Sequence, residues 1–307
     1  MEHADGSPYL LKNSNFRAGL IDLSNPDTRT WIKNVIKTQM IGKAGASGWM
    51  NDFGEALPFD SKLHDGADPA VWHNRFPEEW ARVAREAIEE AGRGDDIVFF
   101  DRSGFTQSPG AATLFWLGDQ IESWDQYDGI KTAVVGLLSG GVSGFSLLHS
   151  DTGGYDSFQF KFAGKEIPIL ARSPELLMRW TELNAFTAVL RTHEGLAPEV
   201  AAQFYTNAET LAHMQRFRKV YKGLAPYRKR LVAEAAATDI PSSGISFSTT
   251  PTIRMSTNCA TSSCSGRTLW SRRCSTRVQK RSRSISRRVA SGSICGPVPT
   301  PARLVSG

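Results

Sequence analysis

Cysteine is missing from residues 1–245, where all the regular patterning lies; its four copies, Cys259, Cys264, Cys274 and Cys295, fall in the last 62 positions. A disulfide framework is therefore excluded for the main body of the chain, and the tail spacings contain neither a CxxC pair nor a nearby histidine, which argues against a structural zinc site. Acid is missing from the other part. Between Ser246 and Gly307 there is no Asp or Glu, against ten Arg and Lys280. The overall formal charge of +5 thus averages a basic tail with an acidic body, and it implies no acidic or nucleic-acid partner by itself. Long apolar runs are missing throughout: no stretch reaches the ~18 residues of a membrane span. The opening segment MEHADGSPYLLKNSN has no charged-then-apolar signal pattern, so a cytoplasmic location is the expectation.

What is present is an alternation of short apolar runs with helical patterns. AGLIDL (18–23) reads as a strand, and NPDTRTWIKNVIKTQM follows as a helix with Asn25 as N-cap and Pro26 at its first position. SGWMNDF is the next strand. Phe76, Trp80, Val83, Ala84, Ala87, Ile88 and Ala91 then recur at three- and four-residue steps, one apolar helix face ending near Gly92. DIVFFDRSG is a continuous apolar run, as in a strand buried on both faces. TLFWLGDQ, a helical DGIKTAVVGLLSGG, the strand GFSLLHSDTGG and one long helix SPELLMRWTELNAFTAVLRTH complete the pattern.

Polar clusters close each strand: Asp22, then Asp52 with Glu55, Asp101 with Arg102, Asp119 with Gln120, and His149 with Asp151. In a barrel of parallel strands the C-terminal strand ends meet at the active site, so acids recurring there favour a (β/α)8 barrel over a doubly wound open sheet, which gathers ligands only at its switch point. Two such carboxyls suit glycoside hydrolysis. A retaining mechanism needs them roughly 5 to 5.5 Å apart, one to attack the anomeric carbon and one to protonate the leaving oxygen. Competing motifs are weaker. DFG at 52–54 lacks the other kinase loops, GGVSGF at 140–145 lacks the lysine of a phosphate loop, and His149 with His193 lacks further metal ligands. No cofactor or metal is expected.

The motifs GWMNDFGEALP, FFDRSG, WLGDQ, HSDTGGY and SPELLMRWTELNAFTAVLRTHEG occur together and in order, and in this the chain resembles glycoside hydrolase family 31, within it the sulfoquinovosidase subgroup. WMNDFGE and Tyr155 after the double glycine resemble that subgroup more than the family's α-glucosidases or α-xylosidases, which remain the alternative. The resemblance implies an α/β fold, an incomplete TIM barrel of about strands three to seven over residues 1–245. It also implies a retaining α-glycosidase whose substrate is an α-sulfoquinovoside, with Asp52 as nucleophile and Asp119 as acid and base. Arg102 and His193 would hold sugar hydroxyls, Trp116 would wall the subsite with Phe115, and Tyr155 would reach the sulfonate through a water. Thr152, Leu117 and Ser103 depart from the subgroup's usual residues, and the upstream Gln, Arg and Trp that grip the sulfonate there have no counterpart here. A barrel missing its first two strands and its last has open edges and exposed apolar faces, so turnover by the chain alone is expected to be impaired.

Residues 246–307 are expected to lack a packed core, having no helical or strand period. Back-translated and read at one offset, this Ser/Arg-rich tail yields three family-like stretches, as expected of a frameshift near residues 241–246. Purposeful nucleic-acid binding through phosphates is the competing reading; only Phe247 and Trp270 are available there for stacking.

Overall fold

A computed structural model describes residues 1–13, 16–162 and 165–238; the expectations for the basic tail lie outside the described residues. The chain opens with a hairpin of β1 (Leu10–Asn13) and β2 (Phe16–Gly19), paired antiparallel. Helix α1 (Pro26–Val35) follows, its N-terminus capped by the Asn25 side chain, which accepts from the backbone N–H groups of Asp27 and Thr28. A π-helical stretch, Ile36–Lys43, continues it. Then come β3 (Gly48–Asn51), α2 (Pro69–Glu90), β4 (Val98–Asp101), the short α3 (Ser108–Ala111), β5 (Leu114–Trp116), α4 (Ile130–Val142) and β6 (Leu148–His149). A second antiparallel pair, β7 (Phe158–Phe162) and β8 (Lys165–Leu170), precedes α5 (Pro174–Asn184), α6 (Ala208–Gly223) and α7 (Ala225–Thr238).

Strands β3, β4, β5 and β6 pair in parallel in chain order, with Asn51 opposite Asp101, Asp101 opposite Phe115 and Trp116 opposite His149. Strand–helix–strand connections returning each strand to the side of its predecessor produce the arc of a barrel wall. A fifth station is marked by the parallel bridge between Thr152 and Thr192. Helix α2 buries the stripe that its spacing announces: Phe76, Val83, Ala84, Ala87 and Ile88 pack in the core with Phe99 and Phe115, while Trp80 and Ala91 pack at its edge. Each large side chain so buried contributes roughly 1.5–3 kcal/mol. Charge ties α1 and the π-helical stretch to α2 on the outside, through Arg29 to Glu79 at 2.7 Å and to Glu86 at 3.0 Å, and Lys37 to Glu90 at 2.6 Å.

Three local expectations are corrected. AGLIDL is no strand of the parallel sheet: Phe16–Gly19 pairs back on β1, and Asp22 accepts from the N–H groups of Ser24 and His64, stapling a loop rather than closing a barrel strand. DIVFFDRSG is buried on one face only. Phe99 faces the helices fully buried, while Val98, turned to the inner side of the arc, is 49% exposed, because no described strand closes over that face. The helix expected through residue 193 stops at Asn184. There the Asn184 amide donates to the Ser150 carbonyl (2.8 Å) and to Thr152 Oγ1 (2.9 Å), and Trp180 donates to Ser150 Oγ (2.9 Å), all out of water. Beyond it the chain runs along β6 and its extension, with the Ala188 N–H on the Leu148 carbonyl and the Thr152 N–H on the Arg191 carbonyl. Strand pairing overrides the helical pattern there and delivers Arg191 and His193 to the same end of the sheet.

Candidate active site

Alternation along the strands sorts the residues at that end. Trp49 and Phe99 stack on the helix-facing side, with the Arg85 guanidinium of α2 over the Phe99 ring. Two residues on, Asn51 and Asp101 share that side, and Asn51 donates to Asp101 Oδ1 at 2.6 Å in full burial. The intervening period of two turns Asp52 and Arg102 to the inner side of the arc. There they meet. Arg102 Nη1 lies 3.2 Å from Asp52 Oδ1 and 2.8 Å from Asp119 Oδ2, while its Nε donates to Glu55 Oε1 at 3.0 Å. Two oxygens held on one nitrogen at those distances are no more than ~6 Å apart, within reach of the retaining separation.

The backbone beyond Asp52 is strained. Phe53 sits at φ 64°, a left-handed conformation that costs a bulky residue ~1–3 kcal/mol. Three contacts offset this: the Phe53 N–H donates to Asp52 Oδ1 (2.7 Å), the Ser103 hydroxyl donates to the Phe53 carbonyl (2.7 Å), and the Arg102 guanidinium lies 4.4 Å from the Phe53 ring centroid. Trp80 of α2 also donates its indole N–H to the Asp52 carbonyl at 3.0 Å. Gly54, at φ 101°, completes the turn; a Cβ there would stand 2.7 Å from Ser103 Oγ. The glycine of the DFG triplet is thus required by the backbone.

Asp119 follows β5 through Gly118. Burial, the largest influence, holds its pKa above the usual carboxylate value; the Arg102 charge opposes this and the Asp52 charge adds to it. Phe115 takes no part in walling Asp119, since it points to the helix layer and packs edge-on against Phe145 at 4.7 Å. Trp116 does turn inward, but its ring is 1% exposed, set edge-on to Phe100 at 5.3 Å with the Arg191 guanidinium 6.0 Å from its centroid.

Tyr155 and His193 form a second group beside the carboxylates, their rings 4.5 Å apart and edge-on. The Tyr155 N–H bonds to the Gln120 carbonyl at 2.7 Å, stitching the loop after β6 to the one that carries Asp119. Gly154 permits this approach, because a Cβ on it would meet the Gln120 carbonyl oxygen at 2.9 Å. Burial, then the charges of Asp119, Asp156 and Asp52, hold the Tyr155 phenol protonated. Burial and then Arg191 push the His193 pKa down, and Nδ1 accepts from the Gly195 N–H at 3.4 Å, so the proton sits on Nε2, ready to donate.

Arg191 carried no recognisable signal, and the strand-end residues Asp151, His149, Glu55 and Asp101 gain their partners only in the structure. Arg191 pairs with buried Asp151, whose pKa burial lifts to about 6. His149 is fully buried and neutral, its pKa pushed down to about 3 by burial first and Arg191 second. Glu55 stands three residues after Asp52 in a quoted motif, yet only the structure gives it a partner. Asp101, behind the site, has its pKa raised by burial to about 7 against the opposing Asn51 hydrogen bond. A folded-state value above the unfolded one of ~3.9 means that folding takes up a proton between those limits, so stability is full below pH ~4 and is lost as pH rises through ~7. A shift of that size amounts to about 4 kcal/mol at most. Asp101→Asn, which keeps the acceptor for Asn51, is expected to melt higher than wild type at pH 8 and to lose less stability between pH 5 and 8; identical pH–melting curves refute this.

No group of three or more His, Cys, Asp or Glu among the described residues is arranged to hold a metal ion. No described helix is long and apolar enough to cross a membrane. What the geometry offers is a pair of carboxyls bridged by one cation, with hydrogen-bond donors alongside.

The family model for the glycosyl hydrolases family 31 TIM-barrel domain matches residues 1–231. The chain belongs to glycosyl hydrolase family 31. Among family 31 relatives it is 43% identical over 239 residues to the sulfoquinovosidase of Escherichia coli (strain K12) and 41% identical over 237 residues to that of Agrobacterium fabrum, covering 78% and 77% of this chain. A solved family 31 sulfoquinovosidase from E. rectale, in complex with the aza-sugar inhibitor IFGSQ, superposes with TM-score 0.71 at 40% identity, over 78% of this chain and 34% of that one. The chain spans about a third of the length of the curated relatives it matches, 34% in each case.

Proposed function

We propose that this family 31 barrel section carries the catalytic pair of a retaining α-glycoside hydrolase that acts on α-sulfoquinovosides. One observation carries the reading: Arg102 Nη1 joins Asp52 and Asp119 at 3.2 and 2.8 Å, at the C-terminal ends of neighbouring parallel strands. Asp52 is the nucleophile. Its Oδ1 is occupied by the Phe53 N–H and Arg102, which leaves Oδ2 to attack the anomeric carbon. Asp119, partly withdrawn from water, holds its proton more tightly than an ordinary aspartate and gives it to the leaving oxygen. The resulting carboxylate then takes a proton from the water that hydrolyses the glycosyl-enzyme.

Glu55 keeps Arg102 from collapsing onto either partner alone, so that a single cation serves both carboxyls. His193 Nε2 and the Tyr155 hydroxyl are donors beside the pair and bind the sugar, Tyr155 toward its 6-substituent. Trp116 closes the floor with its ring edge rather than presenting an open face. The sulfonate preference is carried by the likeness to two sulfoquinovosidases above 40% identity.

The test compares aryl α-sulfoquinovoside, α-glucoside and α-xyloside at equal leaving-group acidity. A kcat/KM favouring the sulfoquinovoside about 10-fold is expected, the worth of one hydrogen bond to a charged group, because Tyr155 alone of the sulfonate-directed residues is present in this chain. Preference for either neutral glycoside overturns the substrate while leaving the catalytic pair in place. The inner face exposed at Val98 makes low absolute turnover the expectation for the chain on its own.

A further inference from the structure

Arg172 lies between β8 and α5 and pairs at 3.1 Å with Glu122, both side chains fully buried. Its five N–H groups meet five acceptors. Nε donates to the Ala202 carbonyl at 2.6 Å, and Nη1 donates to the Gly154 carbonyl at 3.1 Å while facing Glu122 Oε1. Nη2 donates to the Glu194 carbonyl at 2.8 Å and to Gln203 Oε1 at 2.7 Å. Two of the three carbonyls belong to the residues next to Tyr155 and His193. None of these contacts includes Asp52, Asp119 or Arg102. From them we infer that Arg172, with Glu122, is a positioning residue: it fixes Tyr155 and His193 beside the carboxyl pair and so sets the preference for a sugar with an anionic 6-substituent over a neutral one. The inference rests on the proposed function, in which those two side chains bind the sugar.

The chain is shaped around this pair. Gly153, at φ 98°, leaves room for the guanidinium stem, since a Cβ there would stand 2.8 Å from Arg172 Cδ. Gly195, at φ 85°, does the same for the acid, because its Cβ would stand 2.7 Å from Glu122 Oε1. The Glu122 N–H bonds to the Asp156 carbonyl at 2.9 Å and the Leu196 N–H to the Tyr155 carbonyl at 3.2 Å, so the segments that carry Tyr155 and His193 are tied on both sides of the pair. Taking two ions out of water is costly, and apolar side chains of the same volume fill a core as well. What the guanidinium adds is a rigid planar fork that holds three carbonyls from three separate segments at once. A lysine, with three donors on a flexible stem, lacks that fork.

Arg172→Ala opens the place of the guanidinium to a cavity of about 500 Å³ walled by Pro174, Pro198, Val200 and Tyr205, through which ethylguanidinium can enter. The chain carries ring-fluorinated tyrosine and ring-labelled histidine, with signals assigned through Tyr155→Phe and His193→Gln. In the variant the Tyr155 and His193 signals are expected to move, to return saturably with ethylguanidinium and to stay displaced with ethylammonium, while the His73 signal of α2 is unmoved. A second readout uses cyclitol epoxides with a 6-sulfonate or a 6-hydroxymethyl group. Asp52 opens the epoxide: a bond from its oxygen to carbon forms, the C–O bond breaks, and the released oxygen takes the Asp119 proton. Wild type is expected to bind the sulfonated epoxide about 10-fold more tightly, the worth of one hydrogen bond to a charged group. Arg172→Ala is expected to cut that difference below ~2-fold while the labelling rate at saturation stays within ~3-fold, because the loss is one of binding. Should Arg172→Ala not fold, Arg172→Met with Glu122→Gln, which leaves neither ion unpaired, is expected to show the same displaced signals and lost preference. Unmoved Tyr155 and His193 signals in the variant that folds overturn the inference. So does a retained difference between the epoxides, equal affinity for both in wild type, or a labelling rate that falls as far as the affinity. Absence of any Asp52 labelling in wild type instead counts against the proposed function. The signals then decide: displacement with His73 unmoved supports the positioning role, and none overturns it.

Discussion

Asp52→Asn is expected to lower kcat for an aryl α-sulfoquinovoside by at least ~10⁴-fold, with little change in melting temperature. The amide keeps the size of the side chain and an oxygen for the Phe53 N–H, so the strained turn at Phe53 and Gly54 survives. What it loses is the nucleophile's negative charge, and with it the covalent route. A 10⁴-fold fall corresponds to ~5.5 kcal/mol of transition-state stabilisation, more than any single hydrogen bond at this site contributes. Because low turnover is expected of the chain alone, a second readout is independent of rate. An α-configured cyclitol epoxide is expected to add one cyclitol mass to the wild-type peptide that carries Asp52 and none to the variant. Labelling of another residue, or retained turnover in Asp52→Asn, refutes the assignment.

Asp119→Ala divides substrates by leaving group. For an alkyl α-glycoside, whose departing oxygen needs a proton, kcat/KM is expected to fall ~10³-fold, in the range of general acid catalysis. For a dinitrophenyl or fluoride leaving group, which departs unprotonated, the first step is expected to fall less than ~10-fold. Hydrolysis of the glycosyl-enzyme then slows because its base is gone, and azide, which needs no deprotonation, restores turnover and yields the glycosyl azide of retained configuration. The split follows from position under the proposed mechanism: Asp119 shares the Arg102 nitrogen with Asp52, which sets both carboxyls within reach of one anomeric centre. A uniform loss across leaving groups without azide rescue marks Asp119 as structural. Removal of Asp119 also leaves Arg102 balanced by Asp52 and Glu55 alone, so the variant's melting temperature is needed alongside the kinetics.

Helix α2 was legible because one face had to meet the core and the other water, which imposes the 3.6-residue period on Phe76, Val83, Ala84, Ala87 and Ile88. The cap of α1 was legible for a similar local reason: the Asn25 side chain satisfies N–H groups two and three residues away, and Pro26 follows it. Strand ends carrying acids suggested the barrel because that fold places functional groups there. By contrast, AGLIDL satisfied strand propensity, but propensity does not name a partner, and β2 found its partner in the hairpin. Residues 185–193 kept an apolar pattern compatible with α5, yet the buried amide of Asn184 and the pairing of Thr152 with Arg191 turned them out of the helix. Phe115 and Trp116, adjacent in sequence, were both assigned to the site, and the strand's alternation sent only Trp116 inward.

From the sequence alone came the family, the barrel class and the carboxyl pair Asp52 and Asp119, since these depend on residue type and on spacing within a few positions. The tertiary structure alone decided that one guanidinium serves three carboxylates. It also decided that Tyr155 leans on His193 and that Trp116 is covered. Those facts depend on distances between residues 16 to 75 positions apart in the chain. Such distances are set by how packed strands and helices exclude water, and no local pattern encodes them.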